Sequence, residues 1–213
     1  MANSKNVQSR IKKFYRRDSV VIYPPVDLRE FETLNSKSEI RKGYFLSLNR
    51  LVRGKGTEIA VEACTRLNLP LKVAGTGPEL ERLKSLAGKS VEFLGNVSDS
   101  ERVKLYVGAK ALIVSSEDED FGITPVEAQA AGTPVIALRA GGFLETVLEG
   151  KTGEFFNQPN AESLMEVLQE FNPGKYSPEA CRKQAEKFSK DRFKKELLEL
   201  IDKNLLGGQK MDK

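Results

Sequence analysis

Histidine is absent from all 213 residues, and this absence excludes more chemistry than any single motif reveals. Ser-His-Asp and Cys-His nucleophile arrangements both need an imidazole, so neither can be built from this chain alone. A catalytic base must be a carboxylate here, or come from another chain. Cysteine is scarce as well. Cys64 and Cys181 stand far apart in no ligand spacing, and without histidine they cannot complete a zinc site. They read as reduced, packed thiols of a reducing compartment. No apolar run approaches a membrane-spanning length and no signal peptide is visible, so a cytoplasmic chain is expected.

A strong charge of one sign is also missing. The net charge is +4, with Lys and Arg interleaved with Asp and Glu, which gives no nucleic-acid footprint. The most basic run, residues 10–17, reads as a solvated helix end, with contact to an anionic surface as the other reading. Apolar content of 39% and charged content of 30% suit a soluble globular protein with one substantial core.

What is present is an alternation. A short basic helix is expected over Asn3–Tyr15, capped by Ser4, then a proline-ended strand over Val20–Asp27 and a polar loop over Leu28–Arg41. Apolar strands follow at Tyr44–Leu48, Leu71–Ala74, Val91–Leu94, Ala111–Val114, Val135–Leu138 and Gly153–Phe156. Helical periodicity fills the gaps at Gly56–Leu67, Glu79–Ala87 and Ser98–Val107, the last opened by a capping-box spacing. A short helix is expected at Thr146–Leu148. Three helices close the chain, over Ala161–Phe171, Pro178–Phe188 and Asp191–Leu205. Short, continuous apolar strands separated by helices predict a parallel sheet covered on both faces. Ligands of such sheets bind at the carboxyl ends of the strands, so the loops after Leu48, Ala74, Leu94, Val114 and Leu138 should line one crevice.

The densest signal sits on one of those loops. Glu119-Asp120-Phe121-Gly122-Ile123-Thr124-Pro125-Val126-Glu127 places carboxylates either side of a helix start, with Pro125 in the first turn and Gly132 ending the helix. A helix N-terminus with free amides suits anionic or hydroxyl-rich ligands, and the carboxylates would accept hydrogen bonds from a polyol. Eight residues along a helix span about 12 Å, which suits gripping two ends of a ligand better than sharing one proton. Val126, Ala128, Ala130 and Ala131 flank Glu127, so its helix looks buried and its carboxylate needs a partner. For Glu119 the acidic run 117–120 leaves a solvent-facing reading open.

This segment resembles the Glu-x7-Glu motif of retaining glycosyltransferases of the GT-B fold, group 1. The resemblance runs from about Val20 to Phe193 and covers the C-terminal, donor-binding half of such an enzyme. The N-terminal acceptor domain, where the family often carries a histidine, is missing. The implied fold class is α/β: a Rossmann-like parallel sheet with helices on both faces and a helical C-terminal extension. The implied division is an interdomain helix and linker at 1–19, a nucleotide-sugar-binding domain at 20–188, a crossover helix at 189–206 and a disordered tail at 207–213. The crossover helix would pack on the acceptor domain, leaving a stripe of Phe193, Leu197, Leu200 and Ile201 short of cover.

By the resemblance, Arg50 and Lys55 hold the donor's diphosphate and stabilise it as it leaves, with Gly54 beside them. Glu119 stands near the transferred sugar, and the amides of Phe121, Gly122 and Ile123 reach the sugar and adjoining phosphate. Glu127 accepts two ribose hydroxyls. Gly75 and Gly77 line the nucleotide pocket, the turn with Gly95 and Val97 borders the base, and Gly141 and Gly142 face the site; Glu145 reads as structural. For the Gly75-x-Gly77 pair a plain tight turn is an equal reading, and Leu80 denies it the third glycine of a dinucleotide fingerprint. The substrate implied is a nucleotide diphosphate sugar, with no metal and no cofactor. Asp118 and Asp120 have Asp-x-Asp spacing but lie inside the glutamate motif. The stretches 11–15 and 21–27 most resemble mannosyltransferases, which favours GDP-mannose and leaves UDP- or ADP-sugars open. No nucleic acid is expected, and peripheral association with the inner face of a membrane is open to the full enzyme. Other readings remain: a non-catalytic nucleotide-sugar-binding subunit, a starch-type synthase, an epimerase (which would carry histidines), or a structural α/β domain. Arg50, Lys55, Glu119 and Glu127 occurring together weigh against the last.

Overall fold

The computed structural model describes residues 1–32 and 43–208. Its frame is a six-stranded sheet of β1 (Tyr44–Leu48), β2 (Leu71–Ala74), β3 (Val91–Gly95), β4 (Ala109–Val114), β5 (Val135–Leu138) and β6 (Gly153–Phe156). Every pairing is parallel, and the order is β3-β2-β1-β4-β5-β6. The chain starts in the middle, builds outward to β3, then returns to β4 beside β1. The loops leaving β1 and β4 therefore part in opposite directions, which opens a crevice at their carboxyl ends.

Alternation along each strand feeds two apolar layers. Leu46, Leu112, Val135, Ala137 and Phe155 pack with Val103 and Tyr106 of α5 (Asp99–Gly108), Val126 and Ala128 of α6 (Ile123–Ala130), and Ala185 of α9 (Pro178–Glu186). On the other face Phe45, Val73, Ala111, Ile113, Ile136 and Phe156 pack with Ile59 and Ala63 of α3 (Thr57–Arg66), Leu83 of α4 (Leu80–Leu86), and Leu164 and Leu168 of α8 (Ala161–Glu170). Each fully buried Leu or Ile contributes about 1.5–3 kcal/mol. Cys64 and Cys181 are both buried, and burial pushes the Cys64 thiol up to about 12.

Helix starts follow local chemistry. Ser4 caps α1 (Lys5–Tyr15) by accepting from the Val7 amide at 3.0 Å. Ser98 and Glu101 form the capping box of α5.

Several expected elements differ. Val20–Asp27 is no strand: Pro24 and Pro25 offer no amides to a ladder, and the backbone engages only through isolated bridges of Val21 to Ala2 and Val26 to Ser189. The loop expected over Leu28–Arg41 begins with a short helix, α2 (Arg29–Glu32), and its remainder from 33 lies outside the described residues. The helix expected at Thr146–Leu148 is instead α7 (Phe143–Thr146), started by Gly142 and ended by extended Val147. The last helix, α10 (Lys190–Gly208), takes in the first two residues of the expected tail; 209–213 lie outside the described residues. On α10, Phe193, Leu197 and Leu200 are half-buried, while Leu198 and Ile201 are exposed.

The segment before β1 is tied to the domain. Tyr23 packs on Phe121 and Phe188 with ring centroids 5.7 and 5.3 Å away. Asp27 pairs with Arg29 at 2.7 Å and with Lys190. Among the described residues no helix is long and apolar enough to cross a membrane.

Candidate functional site

Between β1 and β4 the diverging loops enclose a cavity of about 230 Å³. The β1–α3 loop contributes Asn49, Arg50 and Lys55, and the β4–α6 loop contributes Ser115, Ser116 and Glu119. The start of α6 adds Gly122, Ile123 and Thr124, and α7 adds Phe143. Four of the sequence-predicted residues outside the acidic motif's helix (Arg50, Lys55, Glu119 and Gly122) thus meet at one place, with Ile123 beside them.

Lys55 Nζ lies 2.7 Å from Glu119 Oε2, both side chains about one-quarter exposed. Arg50 is exposed at the rim. Gly122 starts α6 with φ 88°, and no side chain caps the first amides among the described residues. The cavity therefore joins two cations, unclaimed helix amides and a carboxylate, the set that a phosphorylated polyol needs. Asn49 is fixed beside it, accepting from Thr57 Oγ1 at 3.0 Å and donating to Ser47 Oγ at 3.2 Å. Among the described residues no group of three or more Cys, Asp and Glu side chains could hold a metal ion.

Glu119 and Glu127 are not eight residues apart on one helix. Only 123 onwards is helical, and Glu119 precedes it in the loop. Each carboxylate has its own cation, so the two share no proton. Glu127 faces α5, outside the cavity lining. Its Oε1 accepts from Arg102 Nη1 and its Oε2 from the Tyr106 hydroxyl at 2.8 Å. Burial pushes the Glu127 carboxyl up, against the downward pull of the Arg102 charge and of hydrogen bonds from Tyr106 and Arg102. Burial, then the Glu127 charge, raises Tyr106 well above its ordinary value.

The predicted glycines act mainly on neighbouring loops. A Cβ on Gly75 would sit 1.9 Å from the Asn49 carbonyl oxygen, and one on Gly77 would sit 2.2 Å from that of Leu51. The bare backbones let the two loops zip together, through Asn49 N to Ala74 O at 3.2 Å and Leu51 N to Thr76 O at 2.9 Å. Arg50 lies between those anchored residues. Gly142 does the same for Glu119, donating its N–H to the Glu119 carbonyl at 2.8 Å. Gly141 precedes it, where a Cβ would sit 2.4 Å from the Glu119 carbonyl oxygen, and neither glycine lines the cavity. Gly54 is exposed on the β1–α3 loop; Gly95 ends β3, the edge strand, and Val97 follows it. The Phe121 side chain is 3% exposed and belongs to the core.

Helix α1 borders the same crevice, which its sequence did not signal. Glu145 accepts from the amides of Lys5 at 2.8 Å and Asn6 at 3.0 Å, and from the Tyr23 hydroxyl at 2.9 Å. Burial and this contact push Tyr23 up to about 12. Asn6 Nδ2 donates to the Glu119 carbonyl at 3.3 Å, and Arg10 pairs with Asp120 at 2.9 Å. The structural role read for Glu145 is thus the capping of α1. Arg102, Tyr106, Asn6, the serine pair and Phe143 were not singled out beforehand; polar Ser115-Ser116 straight after a buried strand was the one available signal.

Comparison with known proteins follows the same lines. Residues 29–188 match the family described as glycosyl transferases group 1. A D-inositol 3-phosphate glycosyltransferase of Corynebacterium urealyticum is 29% identical, over 84% of this chain and 50% of its own length. The α-1,3/1,6-mannosyltransferase ALG2 of Homo sapiens is 27% identical, over 89% of this chain and 53% of its own. The chain thus spans about half the length of the curated relatives it matches. The crystal structure of Anabaena HepE in complex with UDP superposes with a TM-score of 0.81 at 21% identity, covering 95% of this chain and 63% of that one, a likeness of fold.

Proposed function

The chain belongs to the group 1 glycosyl transferases, of GT-B fold, and from that premise we propose that it is the donor-binding half of a retaining hexosyltransferase. The observation that carries this reading is the meeting of Arg50, Lys55, Glu119 and the uncapped start of α6 around one cavity at the switch in strand order. Arg50 and Lys55 bind the diphosphate of a nucleotide sugar. As the glycosidic bond to that diphosphate breaks, negative charge builds on the leaving oxygen, and preplaced cations stabilise it there. They do the work a metal would otherwise do. Lys55 turns from Glu119 to the phosphate on binding, which frees Glu119 to accept hydroxyls of the transferred sugar. Glu127 accepts the ribose diol. The acceptor hydroxyl attacks from the face the diphosphate leaves and passes its proton to the departing diphosphate oxygen, so the anomeric configuration is kept without a covalent intermediate.

Mannose from GDP-mannose is the favoured donor, supported by likeness to mannosyltransferases including ALG2; the UDP in the HepE structure supports a uridine donor as the second choice. A polysaccharide or glycolipid is the proposed product. The isolated chain then binds donor but transfers little.

Calorimetric titration with GDP, UDP and ADP tests the reading. Saturable binding of one of them, weakened at least about tenfold in Lys55→Ala and in Glu127→Ala, is expected. Binding indifferent to both substitutions would refute it. A non-catalytic nucleotide-sugar-binding subunit is the second reading. Sugar transfer by this chain alone, abolished in Glu119→Ala, would exclude it.

A further inference from the structure

Arg102 belongs to no motif singled out in the sequence, yet it pairs with carboxylates of three elements. Its side chain is 18% exposed. Nη1 donates to Glu127 Oε1, and Nη2 reaches Glu30 Oε2 at 2.8 Å and Asp99 Oδ1 at 3.3 Å. The guanidinium is thus pinned by carboxylates from α2, α5 and α6. We propose that Arg102 is a positioning residue of the donor site, fixing the Glu127 carboxylate in the one orientation that accepts a vicinal diol. This rests on the reading of Glu127 as the ribose ligand.

Lone-pair accounting supports it. A carboxylate has about four acceptor sites. Arg102 uses one on Oε1 and the Tyr106 hydroxyl one on Oε2. One site on each oxygen remains, which is what two neighbouring hydroxyls require. Tyr106 is fully buried and Arg102 is tethered, so the carboxylate cannot turn away. Charge points the same way. The groups facing Glu127 are Arg102 and Tyr106 of α5 and Glu30 of α2, with Asp99 of α5 behind Arg102. Burial and Glu30 raise the Glu127 carboxyl, and Arg102 opposes them. Without Arg102 the carboxyl would protonate at higher pH and lose the acceptor that a diol needs. A lysine would keep the charge but not the fork that ties three carboxylates.

The test is calorimetric titration of the 213-residue chain with GDP, UDP and ADP, and with the 2′,3′-dideoxy form of whichever binds, between about pH 6.5 and 8.5. The variants are Arg102→Met, Arg102→Gln, Arg102→Lys and Glu127→Gln. Circular dichroism checks folding, and two neutral variants keep the test alive should one misfold. Both neutral variants should bind the ribonucleotide about tenfold more weakly near pH 7 and recover part of the loss as pH rises. Arg102→Lys should lose less. The dideoxy nucleotide should bind wild type and Arg102 variants alike. Unchanged or tighter binding by the neutral variants would overturn the proposal, since a guanidinium that merely fills the diol's place leaves an emptier site when removed. So would a loss that is independent of pH and shared by the dideoxy nucleotide, which is the mark of a structural role. If Glu127→Gln weakens binding and the Arg102 variants do not, this inference alone fails. If Glu127→Gln has no effect, or no nucleotide binds, the ribose reading fails and takes the inference with it.

Discussion

A carboxylate set among small apolar residues on a packed helix must be answered by something, and at Glu127 the answer came from another helix. The flanking Val126 and alanines made the need legible in sequence; the identity of the partners did not follow, because nothing local sets Arg102 and Tyr106 of α5 against α6. The Tyr106 hydroxyl is buried and donates to the Glu127 carboxyl, so Tyr106→Phe should cost about 1–3 kcal/mol, read as a lower urea midpoint at unchanged slope. The Lys55–Glu119 pair is different. Both partners keep partial access to water, where an ion pair contributes at most about 1 kcal/mol. Lys55→Met should therefore leave the urea midpoint nearly unmoved while nucleotide binding falls. A large loss of stability would mean that the pair serves the fold rather than a ligand. Arg50, Lys55 and Glu119 were singled out by the resemblance rather than by local chemistry, since a charge on such a loop can equally face water, and the structure brings the three to one cavity. Gly75, Gly77, Gly141 and Gly142 were legible as special positions, and their bare backbones lie against neighbouring loops.

Elements with their own start signals were read to within a residue or two: α1 from Ser4, α5 from its capping box, and all six strands from apolar runs bounded by turns. Elements that depend on distant support were not. Val20–Asp27 has a strand's composition, but its prolines restrict it to single bridges, one of them to the segment between α9 and α10. Hydrogen bonds from Arg29, then Lys190, hold the Asp27 carboxyl far below its ordinary value of 3.8. A depressed carboxyl contributes stability that is present above the unfolded value and lost as pH falls toward the folded one. Between about pH 5 and 2 the melting temperature of wild type should drop more steeply than that of Asp27→Asn; parallel curves would show that this tie does not anchor the linker. On the sheet's other face, Leu164 of α8 is fully buried against α3. Leu164→Ala should cost about 2–5 kcal/mol in chemical denaturation, without changing which nucleotide binds.

At the scale of the molecule, alternating strand and helix announced a parallel sheet, but not its order. The reversal beside β1 is a property of how six strands were laid down, and it is what brings the β1 and β4 loops to one crevice. The two cations there should make nucleotide binding sensitive to salt. Raising ionic strength from about 0.05 to about 0.5 M should weaken it several-fold, and a flat response would place the anion elsewhere. The docking of α1 has a practical corollary. Its first turn is clamped by Glu145 and touches the Glu119 loop, so a polypeptide fused ahead of Met1 would emerge beside the crevice mouth. An affinity handle, surface tether or fluorescent label fused in front becomes a neighbour of the ligand and reports on itself.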